Sequence, residues 1–402
     1  MINNEANTIL LNMAERRVYA DYNATTPLRE EVRTAIISDL DVFGNASSLH
    51  SSGRKARARV EEARLAVGKL LGAPAESIIF TSGGSESNNT IFETMRLLAG
   101  KSGGRNEFIT TVIEHPCVLN SGDYAKSLGF NVTMLPVDEC GKLRMDAYRA
   151  ALGESTLFVS VMMANNEVGT IQDMKEITRL AKEAGAFVHS DAVQAVGKIP
   201  VNVTELGLDY LTMSAHKIYG PKGVGALYVK KDAPLYSMIH GGHQEDGLRA
   251  GTYNNIGILG LGKAASLSQQ DLAEYQKRTS ALRDRLKEGL LSKIPGIKIN
   301  GHPSDVLPNT LSVSFPGAEG EAILLSMDME GIEASTGSAC ASGSLEPSHV
   351  LMAIGLGPEL AHGSIRFSLG WKTNTEDVDY IIKTMPPIIE RLRAMSTQKS
   401  GE

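Results

Sequence analysis

Residues 76–98 read ESIIFTSGGSESNNTIFETMRLL: a short apolar run, a glycine-rich break, then apolar residues at helical spacing. Outward from this stretch the same unit recurs as far as Val229, with the apolar runs NEFITTVI, NVTMLPV, STLFVSVMMA, GAFVHSD, LDYLTMS and VGALYV. Amphipathic stretches such as MKEITRLAKEAG lie between them. Continuous apolar runs suit strands buried on both faces, and their alternation with helices makes the sheet mostly parallel. The expectation is an α/β chain whose core is a large, mostly parallel, seven-stranded sheet covered by helices. In such sheets ligands gather beyond the carboxyl ends of the strands, so the residues that follow each run carry the functional reading.

At 402 residues the chain is about twice the usual single-domain length. A long helical stretch, roughly Ile258 to Ser292, leads to the strands IKIN, TLSVSF and SIRFSL and to a closing helix from about Glu376 to Met395, kinked by Pro386 and Pro387. This predicts a large domain over residues 28–265 and a smaller α/β domain built from 1–27 and 266–402. No stretch approaches the ~18 apolar residues of a membrane span. The opening MINNEANTILLNMAERR lacks the basic start and apolar core of a secretory signal, which leaves the cytoplasm as the expected compartment. A net charge of −6 without Lys/Arg clusters argues against nucleic acid as a partner and favours small-molecule chemistry. The three cysteines, Cys117, Cys140 and Cys340, lie far apart and form no CxxC pair, so free thiols are expected rather than a metal site.

Five strand ends carry groups of chemical interest. Thr81-Ser82-Gly83-Gly84-Ser85 precedes a helix, where converging N–H groups and the helix N-terminus suit a phosphate; it also reads as an ordinary capped turn. His115, held extended by Pro116, suits stacking on a flat ligand and proton transfer, although a lone histidine is more often structural. Asn165-Asn166-Glu167 places amides at the same edge, where Asn is also a standard turn residue. Asp191 closes a buried strand, with Gln194 three residues on; it needs a cationic partner such as a protonated pyridine nitrogen, or else caps the next segment. Ser214-Ala215-His216-Lys217 puts a lysine at the ligand edge, the setting for a covalent amine rather than a solvated charge.

Taken in chain order, these groups resemble the fold-type I pyridoxal-phosphate enzymes, specifically the class V aminotransferase branch. Within it the chain resembles the cysteine desulfurases of the nitrogen-fixation and iron–sulfur-assembly type. The resemblance runs through YADYNATTPL, FGNASSLH, FTSGGSESNN, EHPCVL, ANNEVGTIQ, DAVQAVGK, SAHKIYGPKGVGALYV, GGHQEDGLRAGT, STGSACASGSLEPSHV and IRFSLG, covering about Val18 to Ser396. It implies that Lys217 holds pyridoxal 5′-phosphate covalently, Asp191 pairs with the ring nitrogen and His115 stacks over the ring. Gln194 and Asn166 would contact the phenolic oxygen, Asn166 also meeting the substrate. Gly84, Ser85, Ser214 and His216 would hold the phosphate, with Thr252 arriving from the partner subunit of a homodimer. Arg366 would grip the substrate carboxylate bidentately.

The resemblance further implies that the Cys340 thiolate takes sulfur from L-cysteine, leaving alanine, and that an acceptor or iron–sulfur scaffold protein collects it. His115 would take the thiol proton of the substrate. Cys340 lies among small residues, a mobile-loop setting, whereas Cys117 and Cys140 fit buried core cysteines better. Several positions depart from the common pattern: Ala46 for proline, Ser85 for threonine, Ala215 for glycine and Ala341 for threonine. They bear on loop stiffness and acceptor choice more than on the reaction. A dehydrogenase is disfavoured because no G-x-G-x-x-G follows a strand and opens a helix. Gly257 to Lys263 mimics a nucleotide-binding loop in a helical context, with Ala264 in place of the magnesium-binding hydroxyl. An ordinary aminotransferase has no use for Cys340; a selenocysteine lyase shares the cofactor constellation; and the rival from another class is a docking scaffold, its N-terminal segment either making the contact or staying disordered.

Overall fold

Each of the seven apolar runs forms a strand in the computed structural model, which describes residues 16–101, 103–336 and 346–396. After a short β1 (Val18–Tyr19) they are β2 (Ile78–Thr81), β3 (Glu107–Thr111), β4 (Asn131–Leu135), β5 (Thr156–Ser160), β6 (Phe187–Asp191), β7 (Tyr210–Ser214) and β8 (Gly225–Val229). They make one sheet in the order β2-β8-β7-β6-β5-β3-β4. β8 runs antiparallel to both its neighbours, and the other pairs are parallel.

Alternate side chains of these strands enter two different cores, as the two-residue period of a strand requires. Phe80, Ile109, Val159, Leu211 and Ala226 join Ala56, Val60 and Val67 of the helix Ser51–Leu71 and Ile258 and Leu261 of the helix Asn255–Lys293. Ile79, Phe108, Phe158, Tyr210 and Leu227 join Ile91, Phe92 and Met95 of the helix Gly84–Ala99 and Val118 of the helix Pro116–Ser127. His189 shows how a buried strand histidine is satisfied structurally. Its ring bridges Ser160 Oγ at 2.9 Å and Thr212 Oγ1 at 3.0 Å, and burial pushes its pKa down to about 3.

The 39-residue helix Asn255–Lys293 extends the expected one by a few residues at its start. Its glycines serve packing: a Cβ at Gly262 would lie 2.5 Å from Ala63, and one at Gly260 2.8 Å from Pro221. The resemblance of Gly257–Lys263 to a nucleotide loop therefore comes from close packing of this helix against its neighbours, not from a phosphate. The C-terminal half of this helix (Leu282, Leu286, Leu290) belongs to a further core with the closing helix Thr375–Met395, which continues through Pro386 and Pro387. That core covers the strands β9 (Lys298–Asn300), β10 (Thr310–Ser314) and β12 (Ser364–Ser368), an antiparallel sheet in the order β12-β10-β9. The short β11 (Ile332–Glu333) pairs in parallel with β1, a two-residue pairing too brief to leave a pattern in the sequence. Among the described residues no helix is long and apolar enough to cross a membrane.

Candidate active site

The carboxyl ends of the central strands open into a cavity of about 300 Å³. Gly84, Ser85, His115, Asn166, Asp191, Gln194, Ser214, His216, Lys217 and Arg366 all line it, although they lie as far apart as residues 84 and 366 in the chain. Each reaches it for a local reason. Asp191 is the last residue of β6, and its Oδ1 accepts from the Val193 N–H at 3.0 Å in a turn, where the sequence also allowed a helix cap. Asn88, on the helix that starts at Gly84, donates from Nδ2 to Asp191 Oδ2 at 2.7 Å. Lys217 ends the single 3-10 turn that follows β7, and its Nζ donates to the carbonyls of Asn23 (2.5 Å) and Ala24 (2.7 Å). Gly84 allows close approach, since a Cβ there would stand 2.9 Å from Val193 Cγ2.

His115 is the N-cap of the helix that Pro116 begins, with extended backbone angles (φ −62°, ψ 145°). Its Nδ1 accepts from the Cys117 backbone N–H at 3.2 Å and lies 3.0 Å from Cys117 Sγ. A backbone N–H only donates, so the neutral ring carries its proton on Nε2. Burial lowers the His115 pKa, against the opposing pull of Asp191, which favours that neutral form. His216 is likewise held neutral: burial and the nearby lysines push its pKa down to about 4, and its Nδ1 lies 3.1 Å from Thr25 Oγ1. Arg366 comes from β12 on the other sheet; its Nη2 donates to Asp21 Oδ1 at 2.6 Å and its Nη1 to the Asn166 carbonyl at 3.1 Å.

A family model for the class-V aminotransferases matches residues 18–381. The chain belongs to the class-V aminotransferase family. A cysteine desulfurase IscS of Dictyoglomus turgidum is 48% identical over 386 residues, which covers 96% of this chain and 98% of the relative. Among solved structures, a NifS-like protein superposes with a TM-score of 0.87 at 40% identity, covering 94% of this chain and 100% of that one. A structure described as SspA in complex with cysteine superposes with a TM-score of 0.77 at 34% identity, covering 88% and 98%. Relatives of this identity and coverage place the class-V chain with the cysteine desulfurases of the IscS and NifS type, which are pyridoxal-phosphate enzymes.

The cavity of this class-V enzyme fits that cofactor. Backbone donors at the start of the helix Gly84–Ala99, with the Ser85 and Ser214 hydroxyls, suit a phosphate; the Asp191 carboxylate suits a protonated ring nitrogen; the Lys217 amine stands among them. One of the expected residues is not brought in. Thr252 is exposed and does not line the cavity of its own chain. Cys340 lies outside the described residues, as does the segment 1–15. The flanks of the Cys340 segment are nevertheless tied to the site: Ser335 bridges Arg366, Ser348 Oγ donates to buried Glu167, and His349 Nε2 lies 3.0 Å from the Glu114 carbonyl oxygen.

Cys117 corrects the expectation of a core cysteine. It is half-buried and forms part of the cavity wall, its Sγ 3.2 Å from Asn88 Nδ2, and burial pushes its thiol up to about 12. A thiol so protonated is no nucleophile. Cys140 is also only half-buried, away from the cavity. The sequence reading missed Asn23, Ala24, Asn88 and Cys117 as cavity residues. Asn23 and Asn88 lay in matched motifs, but their hydrogen bonds run between distant segments, which no local pattern displays.

Proposed function

We propose that this chain is a cysteine desulfurase that moves the sulfur of L-cysteine onto Cys340 and releases L-alanine. The observation that carries it is the convergence of Lys217, Asp191, His115 and Arg366 on one cavity, with Ser335, before the Cys340 segment, paired to Arg366, and Ser348, after it, bonded to Glu167 beside Asn166. Bound pyridoxal phosphate supplies an electron sink that makes bonds at the amino-acid Cα and Cβ breakable. Lys217 holds the cofactor and its amine carries the Cα proton; Arg366 holds the substrate carboxylate. His115, whose pKa burial lowers, is the group that moves a proton at the substrate in this reading. The Cys340 thiolate attacks the substrate sulfur: an S–S bond forms, the C–S bond breaks, and its electron pair stays with carbon, which takes a proton and leaves as alanine.

The further parts of the reading are a homodimer in which Thr252 completes the partner's phosphate site, a cytoplasmic setting, and an acceptor or scaffold protein that draws the sulfur towards iron–sulfur cluster assembly or related transfer. Gln194 and Asn166 contact the cofactor's phenolic oxygen in this reading. Incubating the holoenzyme with L-cysteine and a reductant, and measuring sulfide and alanine, tests the central claim. Cys340→Ser is expected to abolish sulfide release while Cys117→Ser retains it; equal activity in both variants rejects Cys340 as the sulfur acceptor.

A further inference from the structure

Lys198 is a buried cation to which the chemistry above gives no part. Only 2% of it is exposed, and its Nζ donates to Gln194 Oε1 at 2.5 Å and to Asn23 Oδ1 at 2.8 Å. Gln194 in turn donates from Nε2 to the Asn23 carbonyl at 2.9 Å, the same carbonyl that accepts from Lys217 Nζ. Asn23 is itself fixed, its Nδ2 donating to Thr310 Oγ1 at 2.9 Å and its Oδ1 accepting from Asn309 Nδ2 at 3.1 Å.

These partners decide which way the Gln194 amide points. A backbone carbonyl only accepts, so the Gln194 NH₂ must face Asn23; the amine donates, so the Gln194 oxygen must face Lys198. The flipped amide would set oxygen against oxygen and NH₂ against amine in a buried place. In the observed orientation one Gln194 N–H remains for the cavity that the residue lines. Burial, with Lys217 and Arg366 as the charged neighbours, lowers the Lys198 pKa well below that of an ordinary lysine. Two acceptors, Gln194 Oε1 and Asn23 Oδ1, stand in place for its N–H bonds.

We propose that Lys198 is a positioning residue that acts through Gln194, locking its amide so that an N–H, and not the oxygen, faces the phenolic oxygen of the cofactor. This rests on the reading of Gln194 as a contact of that oxygen. A donor there favours the ionised oxygen. Lys198 thereby helps to set the pH at which the Lys217-linked cofactor changes its visible absorption.

The experiment is a pH titration of that absorption in purified holoenzyme for wild type, Gln194→Leu, Lys198→Met and the double variant, with Lys198→Gln as a rescue that can still donate to the Gln194 oxygen. The midpoint is expected to move by roughly half a pH unit or more in each of the first two single variants, and Lys198→Met is expected to add nothing on the Gln194→Leu background. Lys198→Gln is expected to stay within roughly 0.2 unit of wild type. An unmoved midpoint in Gln194→Leu would sink the reading of Gln194 itself. A midpoint that moves in Gln194→Leu but not in Lys198→Met, or a full additional shift in the double variant, overturns the role of Lys198. Should Lys198→Met fail to fold, Lys198→Gln decides: a shift as large as that of Gln194→Leu overturns the proposal.

Discussion

Arg366 meets the cavity with part of its fork already committed. Asp21 and the Asn166 carbonyl take its two Nη groups, and its Nε is buried with no partner among the described residues. The Asp21 contact fixes the rotamer and balances the charge. Lysine in its place keeps the charge and loses the planar fork. Arg366→Lys is expected to raise KM for L-cysteine roughly 10- to 100-fold, the worth of one or two charge-assisted hydrogen bonds, with a smaller effect on kcat. Steady-state kinetics of alanine formation check this; an unchanged KM would remove Arg366 from the substrate site.

Among the elements, the stretch around Thr252 is pinned from beneath by a buried ion pair. Arg64, on the helix Ser51–Leu71, donates to both carboxylate oxygens of Glu245 at 2.6 and 2.7 Å, and Glu245 also accepts from the Phe80 N–H at 3.0 Å. Arg249 adds a two-bond contact to Glu86 at the start of the helix Gly84–Ala99. Glu245 and Asp246 both hold left-handed backbone angles (φ 47° and 55°), a conformation that costs free energy and needs such anchoring. Removing one partner leaves the other charge buried, so Arg64→Ala is expected to destabilise the fold by about 3–5 kcal/mol in denaturant unfolding. A loss below about 1 kcal/mol would show that the pair is no anchor.

For the whole molecule, two buried carboxyls tie stability to pH. Burial pushes Glu114 up to about 8, opposed by hydrogen bonds from the Met162 N–H and Thr111, and Glu167 up to about 7. Between its unfolded pKa and about 8, Glu114 binds a proton only in the folded state, so its contribution to stability falls as pH rises through that window and levels off above it. Glu114→Gln removes the term. The variant is expected to gain on wild type by up to about 1.4 kcal/mol per pH unit between pH 5 and 8; parallel stability curves would refute a raised Glu114. The proposed shared-site dimer has its own test. Mixed and re-formed dimers of Lys217→Ala and Thr252→Ala chains are expected to recover tight, borohydride-reducible cofactor in the Lys217-bearing chain, because that chain then receives an intact Thr252. Thr252→Ala occupancy that stays unchanged on mixing would place Thr252 in its own chain's site or in none.

The sequence by itself determined the seven strands, their common sheet and ten of the cavity residues. Unbroken runs such as STLFVSV suit burial on both faces, and cavity groups such as Asp191 and Lys217 lie at the end of a strand or in the turn after it. Tertiary structure alone decided what those groups touch. The Asn23 carbonyl under Lys217, the Asp21 partner of Arg366, Asn88 between Asp191 and Cys117, and the amide orientation of Gln194 all join segments with no fixed spacing in the chain. Periodicity reports which face a residue occupies, because that follows from its own backbone. A hydrogen bond across the fold depends on where two independent elements come to rest, and only packing settles that.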